Sequence, residues 1–314
     1  MTFKQWIIIM TLCLLQAPFC SANDAYHTLE AHLKQTKADN IFIPPSPEEL
    51  QQVESLFYRL LKGERGKQMG QEWEKLHFSI SETAYAGKIF LLVMEAPGHG
   101  SGRGGYIFPG HTRSNRVLMI PHGFHDHFTG QIGIRLSLEG NFAATLFNSV
   151  HRYGNRKKNK TAANKQKNSE NSSPERQENW DMAARPDTFF TAFTKAFIRA
   201  FPRGSLIQLH GFAAKKRKTG QGRESDMIIS AGTRYTSARA QACRECLQQK
   251  LSGNIRLYPD DVQELGGTRN IIGRTLRAAG HKGFIHIEMN HSMRGKIANE
   301  PHTRGLFSTC LTKF

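Results

Sequence analysis

The sequence VLMIPHGFHDHFTG, residues 117–130, contains a short apolar run followed directly by a dense group of polar residues. Four consecutive apolar residues bounded by proline and glycine are typical of a buried strand. A second segment of the same kind, SLIQLHGF at residues 205–212, also places a histidine and a glycine after an apolar run. Two buried strands that end alike predict a parallel sheet with polar groups at one edge.

Working outward, apolar runs alternate with segments of helical periodicity along most of the chain. The alternation predicts an α/β fold in a single domain, with a mostly parallel or mixed central sheet and helices on both faces. The capping box at Ser46, with Pro47 and Glu49, marks the start of one helix. The predicted strands are 88–95, 117–120, 142–147, 206–209, 227–230, 255–258 and 284–289, and the predicted helices 25–37, 47–62, 187–201, 236–251 and 269–278.

Residues 1–22 have the features of a secretory signal peptide: Lys4, an apolar run over residues 6–15 and small residues at 20–22. We therefore expect a mature chain of residues 23–314 that is periplasmic or secreted, with a retained membrane anchor as the alternative. Loss of Lys4 changes the formal net charge from +17 to +16. A strongly basic exported protein is expected to meet anionic partners, and nucleic acid is not the expected one.

A basic insertion interrupts the core at about residues 152–178. Residues 152–176 contain eight Lys or Arg and two Glu, with almost no apolar residue. Such a segment cannot bury enough surface to fold alone, so we expect it to be disordered. It is either a solvated loop or an electrostatic contact to a cell wall or membrane surface.

Three cysteines remain in the mature chain, Cys243, Cys246 and Cys310. The CxxC spacing of Cys243 and Cys246 falls inside a predicted helix, and no second pair completes a Cys₄ zinc site. We favour a structural bridge, with Cys310 as a candidate partner, over a redox role.

Histidine and aspartate at the strand ends predict a metal site. His122 and His210 follow apolar strands and precede glycines, and imidazole and carboxylate are ligands that zinc prefers. The third ligand is Asp126, with His125 as the alternative. We expect zinc as the cofactor, although iron or nickel would accept the same ligands.

Glu288 lies in the last predicted strand, FIHIEM, where His286 and Glu288 share one face. A carboxylate among apolar neighbours is costly to bury unless it is paired or functional, so we expect a raised pKa. Glu288 is our candidate general base, and a salt bridge to Arg274 or Arg294 is the structural alternative.

The succession of PHGFHDHFTG, LFNSVHR, LIQLHGF, ELGGTRNIIGR and FIHIEMNHSMR over about residues 88–297 resembles the N-formylglutamate amidohydrolase-like group, similar in fold to zinc carboxypeptidases. The resemblance implies two metal ligands from the first motif, a later histidine, and a glutamate that assists water. It departs from the carboxypeptidase HxxE pattern because the acid, Asp126, falls one residue later. By order it also implies that Asn148 and Arg152 hold a substrate carboxylate.

Further candidates for substrate binding are Asn270, Arg274 and Arg294. Together these features favour an exported metal-dependent amide or peptide hydrolase whose substrate is an anionic peptide or another carboxylate-bearing molecule. A non-catalytic binder of anionic polymers and an esterase or deacetylase are the alternatives. No GxSxG elbow supports a serine hydrolase.

Overall fold

A mixed β-sheet organises the chain in the computed structural model, which describes residues 22–39, 41–153 and 180–313. Within these ranges the sheet has nine strands: β1 Phe78–Tyr85, β2 Lys88–Glu95, β3 Gly105–Pro109, β4 Arg116–Ile120, β5 Ala144–Phe147, β6 Ser205–Gly211, β7 Met227–Ser230, β8 Ile255–Leu257 and β9 Phe284–Met289. Their order in the sheet is β1-β2-β3-β5-β4-β6-β9-β7-β8.

The centre of the sheet is parallel and its margins are antiparallel. Strands β5, β4, β6 and β9 run parallel to one another, whereas β1, β2 and β3 form an antiparallel meander that joins β5. On the other side, β7 pairs antiparallel with β9 and parallel with β8. The parallel strands are apolar on both faces, as expected where helices cover both sides.

Helices cover both faces of the sheet. In the described ranges they are α1 Ala22–Asp39, α2 Pro47–Leu61, α3 Lys67–Glu74, α4 Thr129–Glu139, α5 Phe189–Ala200, α6 Gly220–Glu224, α7 Ala238–Lys250, α8 Ile271–Ala278, α9 His291–Asn299 and α10 Pro301–Leu311. On one face α2 packs against α5 and α5 against α8. On the other face α4 packs against α1 and α9, and α10 packs against α7 and α9.

Alternation along the central strands divides the core into two layers. In β4, Leu118 and Ile120 join the cluster under α1, α4, α7, α9 and α10, while Val117 and Met119 join the cluster under α2, α5 and α8. The second layer is rich in phenylalanine from α5, which packs tightly around Phe57. The sheet is therefore fixed from both sides, and its strand ends form a rigid base for side chains.

A disulfide joins Cys246 of α7 to Cys310 of α10, which is the bridge that the sequence favoured. Cys243, one turn earlier on α7, is a fully buried free thiol. Burial raises its pKa well above the ordinary value of a cysteine, so it remains a protonated, unreactive thiol at neutral pH.

The α/β class, the mixed sheet and the capping box at Ser46 are confirmed. The predicted strand at 142–147 begins only at Ala144, and strands β1 and β3 and helices α3, α4, α6, α9 and α10 were not predicted. Residues 1–21 of the predicted signal peptide and residues 154–179, most of the predicted basic insertion, lie outside the described residues. None of the helices in the described part of the chain is both long and apolar enough to span a bilayer.

Candidate metal centre

Three neighbouring parallel strands bring the candidate residues to one edge of the sheet. His122 follows β4, His210 lies near the end of β6, and Glu288 lies near the end of β9. The register pairs His210 with Glu288 and Gln208 with His286. Because side chains alternate along a strand, these four side chains point to the same face.

The hydrogen bonds of His122 fix its tautomer. Its Nε2 lies 2.8 Å from Asp181 Oδ1, and the guanidinium of Arg152 lies 3.2 Å from its Nδ1. A guanidinium can only donate, so Nδ1 accepts and Nε2 carries the proton that is donated to Asp181. A carboxylate behind an imidazole is the usual way in which a metal-binding histidine is oriented.

His210 is oriented in the same way by an amide. Its Nε2 donates to Gln208 Oε1 at 2.8 Å, and the same oxygen accepts a hydrogen bond from Asn270 Nδ2. The Nδ1 atom of His210 therefore also presents its lone pair. The two Nδ1 atoms, of His122 and His210, face each other at 3.0 Å in a buried position.

Asp126 completes the group. Its Oδ2 lies 3.4 Å from His122 Nδ1 and 3.9 Å from His210 Nδ1, and it accepts a hydrogen bond from the amide of Gly211 at 2.8 Å. A tetrahedral zinc with bonds of about 2.0–2.1 Å separates its ligand atoms by about 3.3 Å. The donor types and separations of His122, Asp126 and His210 fit a zinc-sized cation, and these buried residues could hold one.

Electrostatic coupling within this group is strong. Burial lowers the pKa of His122, but the carboxylates of Asp126 and Asp181 raise it by more, so the net shift is upward. Burial raises the pKa of Asp181, but His122 and then Arg152 lower it to about 2. Burial, then His286 and His122, hold the pKa of His210 well below its usual range, so His210 stays neutral.

Glu288 and His286 form the adjoining part of the site. The Glu288 side chain is 12% exposed, and its Oε1 lies 3.8 Å from His286 Nε2. Burial and the nearby Asp126 raise the pKa of Glu288 to about 8, as the sequence led us to expect. Burial and His122 lower the pKa of His286 to about 4. His210, His286 and Glu288 form a second group that could hold a cation.

A cavity of about 600 Å³ opens above these residues. Its floor contains His122, His210, His286 and Glu288, and one wall is the loop 265–270. Gly267 has a φ of +61° and lies against the His286 ring, where a Cβ would come within 2.8 Å of Cγ. Glycine is thus required both by the backbone conformation and by the close approach.

Two of the predicted substrate-binding residues line the cavity. Arg152 is part of the wall beside Asp181, to which it is ion-paired. Asn270 also lines the cavity, but its side chain caps helix α8 through the amides of Ile272 and Gly273. Arg152 therefore carries the only cationic group of this predicted set that the described structure places in the cavity.

The other predicted residues lie elsewhere. The buried amide of Asn148 bonds to the backbone of Pro121 and Val150. Arg294 donates to the carbonyl oxygen of His127 and packs on Gly211, and Arg274 is exposed on α8. Among the described residues, neither of these two arginines forms a salt bridge with Glu288, the alternative considered from the sequence.

His125, the alternative third ligand, is exposed rather than directed at His122 and His210. Its ring packs edge-on against His151 at 5.1 Å and Tyr153 at 4.9 Å between centroids.

Sequence reasoning missed several residues of this site. Asp181 comes two residues after the stretch 154–179 and belongs to no strand, so no periodicity pointed to it. Gln208 could have been found, because it lies two residues before His210 and alternation places both on one face. Arg269, exposed in the cavity wall, carried no signal beyond its charge.

Fold and site together define an α/β protein with a buried candidate metal centre at the carboxyl ends of its parallel strands. No protein-family profile matches the chain, and comparison with curated proteins gives no match. Among solved structures, the chain is similar to an N-formylglutamate amidohydrolase from Ralstonia eutropha JMP134, with 10% identity, a TM-score of 0.43, and coverage of 68% of this chain and 96% of the other.

A gene product from Agrobacterium tumefaciens is similar with 13% identity, a TM-score of 0.33, and coverage of 64% of this chain and 92% of the other. The first of these two structures bears the name of the group that the sequence motifs resemble. At these levels of similarity, the function has to be inferred from the residues of the site itself.

Proposed function

We propose that this chain is a metal-dependent hydrolase of amide or peptide bonds, with zinc held by His122, Asp126 and His210. One observation carries the proposal: the Nδ1 atoms of two buried histidines face each other at 3.0 Å, each with its Nε2 proton already donated elsewhere.

The Arg152 guanidinium donates to the His122 lone pair at 3.2 Å, whereas no other donor in the described ranges reaches Nδ1 of His210, so the two nitrogens repel unless a cation lies between them. The neighbouring Asp126 carboxylate adds a negative charge in a buried position, where an unpaired charge is costly. A proton shared by the imidazoles or a divalent metal would satisfy this arrangement. The donor set of two imidazoles and one carboxylate is that of catalytic zinc sites, which keep a fourth position open.

A metal held there would polarise a scissile carbonyl and lower the pKa of a water molecule to about 7. Glu288, beside His210 on the next strand, accepts the proton of the attacking water and passes it to the leaving nitrogen. The pKa of about 8 without metal reflects how strongly burial disfavours the charged form of Glu288. A nearby cation would lower this pKa towards 7, the range that suits a general base. Neutral His286 can donate one hydrogen bond at the same place.

The substrate is proposed to carry a carboxylate. Arg152 reaches the cavity with its guanidinium beside His122, and a planar guanidinium binds a carboxylate through two hydrogen bonds. A cavity of about 600 Å³ has room for an N-acyl amino acid or the end of a peptide.

Export to the periplasm or the medium is part of the proposal, with the basic insertion as a point of contact with an anionic wall or membrane. The signal-like residues 1–22 support export, and so does the Cys246–Cys310 disulfide, since such bonds persist in oxidising compartments.

Metal analysis of the purified protein tests the proposal. We expect about one zinc per chain, lost in His210→Ala and retained in His125→Ala, the matched histidine whose ring faces away. Glu288→Gln should retain zinc while hydrolysis of N-acyl amino acids and short peptides is lost. A fully folded wild-type protein that binds no divalent metal would overturn the proposal and favour a non-catalytic binding protein.

A further inference from the structure

A basic segment follows β6, the strand that carries His210 of the cavity lining. Residues 213–224, AAKKRKTGQGRE, contain five basic residues and one acidic residue. Lys215, Lys216 and Lys218 are exposed, and we call these three residues the basic ridge. No carboxylate in the described ranges forms an ion pair with any of them.

The backbone of the ridge is fixed by a carboxylate from another loop. Glu264 accepts hydrogen bonds from the amides of Lys218 and Thr219, at 3.3 and 3.1 Å, and from the Thr219 hydroxyl at 2.8 Å. Arg217 turns inward, forms an ion pair with Glu264 at 3.5 Å, and lies over the ring of Phe212. Arg217 thus neutralises Glu264, and the three lysines are left to face solvent.

Both partners in this arrangement are close in sequence to residues that line the cavity. The ridge begins five residues after His210, a candidate ligand. Glu264, which holds the ridge, is followed directly by residues 265–270, which form the cavity wall. Arg269 of that wall is also exposed, which adds a cationic group on the cavity side.

We propose that the basic ridge, together with Arg269, binds the anionic remainder of an acidic peptide whose scissile bond lies in the cavity. Cleavage of that peptide rests on the proposed function, but binding of it does not. Successive carboxylates would meet successive ammonium groups, and their summed field would raise the local concentration of such a chain. Segment 213–224 contains no aromatic residue on which a nucleic acid base could stack.

The test is the binding of a fluorescent oligo-glutamate peptide, followed by anisotropy in the Glu288→Gln background so that no turnover occurs. The ridge variant Lys215→Gln/Lys216→Gln/Lys218→Gln is compared with a control that removes the same charge, Lys67→Gln/Lys75→Gln/Lys88→Gln. The control lysines are exposed near β1 and β2, four strands away from β6 or further in the sheet order.

We expect the ridge variant to bind about tenfold more weakly at low salt and the control variant to bind as its parent does. The difference should shrink as salt rises, because these charges are exposed. Equal weakening in both variants, or unchanged binding in the ridge variant, would overturn the proposal. Ridge-dependent binding by a protein that takes up no metal would instead overturn the hydrolase function and leave this inference standing.

Discussion

Replacing Asp181 with asparagine removes the negative charge behind His122 and keeps the shape of the side chain. The interactions of this carboxylate lower its pKa from 3.8 to about 2. At about 1.4 kcal/mol per pKa unit, the surroundings favour the charged form by about 2.4 kcal/mol, or about 60-fold. Since His122 and Arg152 supply most of this effect, we expect zinc affinity to fall about 10- to 60-fold, within the range typical of groups that orient metal ligands.

Competition with a chromophoric chelator measures this affinity directly. Asp187→Asn is the matched control, because Asp187 lies in the same segment but pairs with Arg185 outside the site. The stability of the metal-free protein gives an independent check. The folded-state pKa of Asp181 is depressed, so its contribution is present above about pH 4 and is lost as the pH falls towards about 2. Unchanged zinc affinity in Asp181→Asn would refute the role of His122 as an oriented ligand.

Three further predictions follow from buried features of the site and the core. Because the pKa of Glu288 is raised to about 8, the metal-free protein should lose stability as the pH rises from about 4.5 to about 8, by up to about 1.4 kcal/mol per pH unit. In urea unfolding, Glu288→Gln should lack this slope of stability against pH, and an identical slope would contradict the raised pKa. The disulfide closes a loop across 64 residues, so Cys310→Ser should cost about 4 kcal/mol of unfolding free energy, measured by urea denaturation; a loss below about 1 kcal/mol would contradict this estimate. Gly267→Ala places a Cβ against the His286 ring, so turnover should fall at least about tenfold with zinc retained; normal turnover would show that the wall is free to shift.

The central sheet and most of the candidate centre were predictable from the sequence. The apolar runs before His122 and His210 gave the parallel strands, and alternation in β9 put His286 and Glu288 on one face. These inferences succeed because a buried parallel strand has a simple apolar pattern and because polar residues at its end have few structural explanations.

What could not be predicted depends on contacts between segments distant in the chain. The amphipathic margin strand β1 alternates weakly between burial and exposure, so its pattern did not stand out. Asn148 and Arg294 bind backbone carbonyl groups that reach them only in the folded chain. From the sequence alone, their amide and charged groups suggested substrate binding instead. Asp181 reaches His122 across 59 positions without any local motif.

The register of the sheet has a consequence for how this protein tolerates mutation. His210 stands opposite Glu288, and Gln208 opposite His286, only while β6 and β9 pair without slippage. A shift of the strand register by a single residue would move each of these side chains to the opposite face of the sheet, into a hydrophobic layer. Substitutions deep in these strands, remote from any bound molecule, should therefore impair the chemistry before the protein unfolds, so bound metal would serve as a sensitive reporter of correct strand alignment.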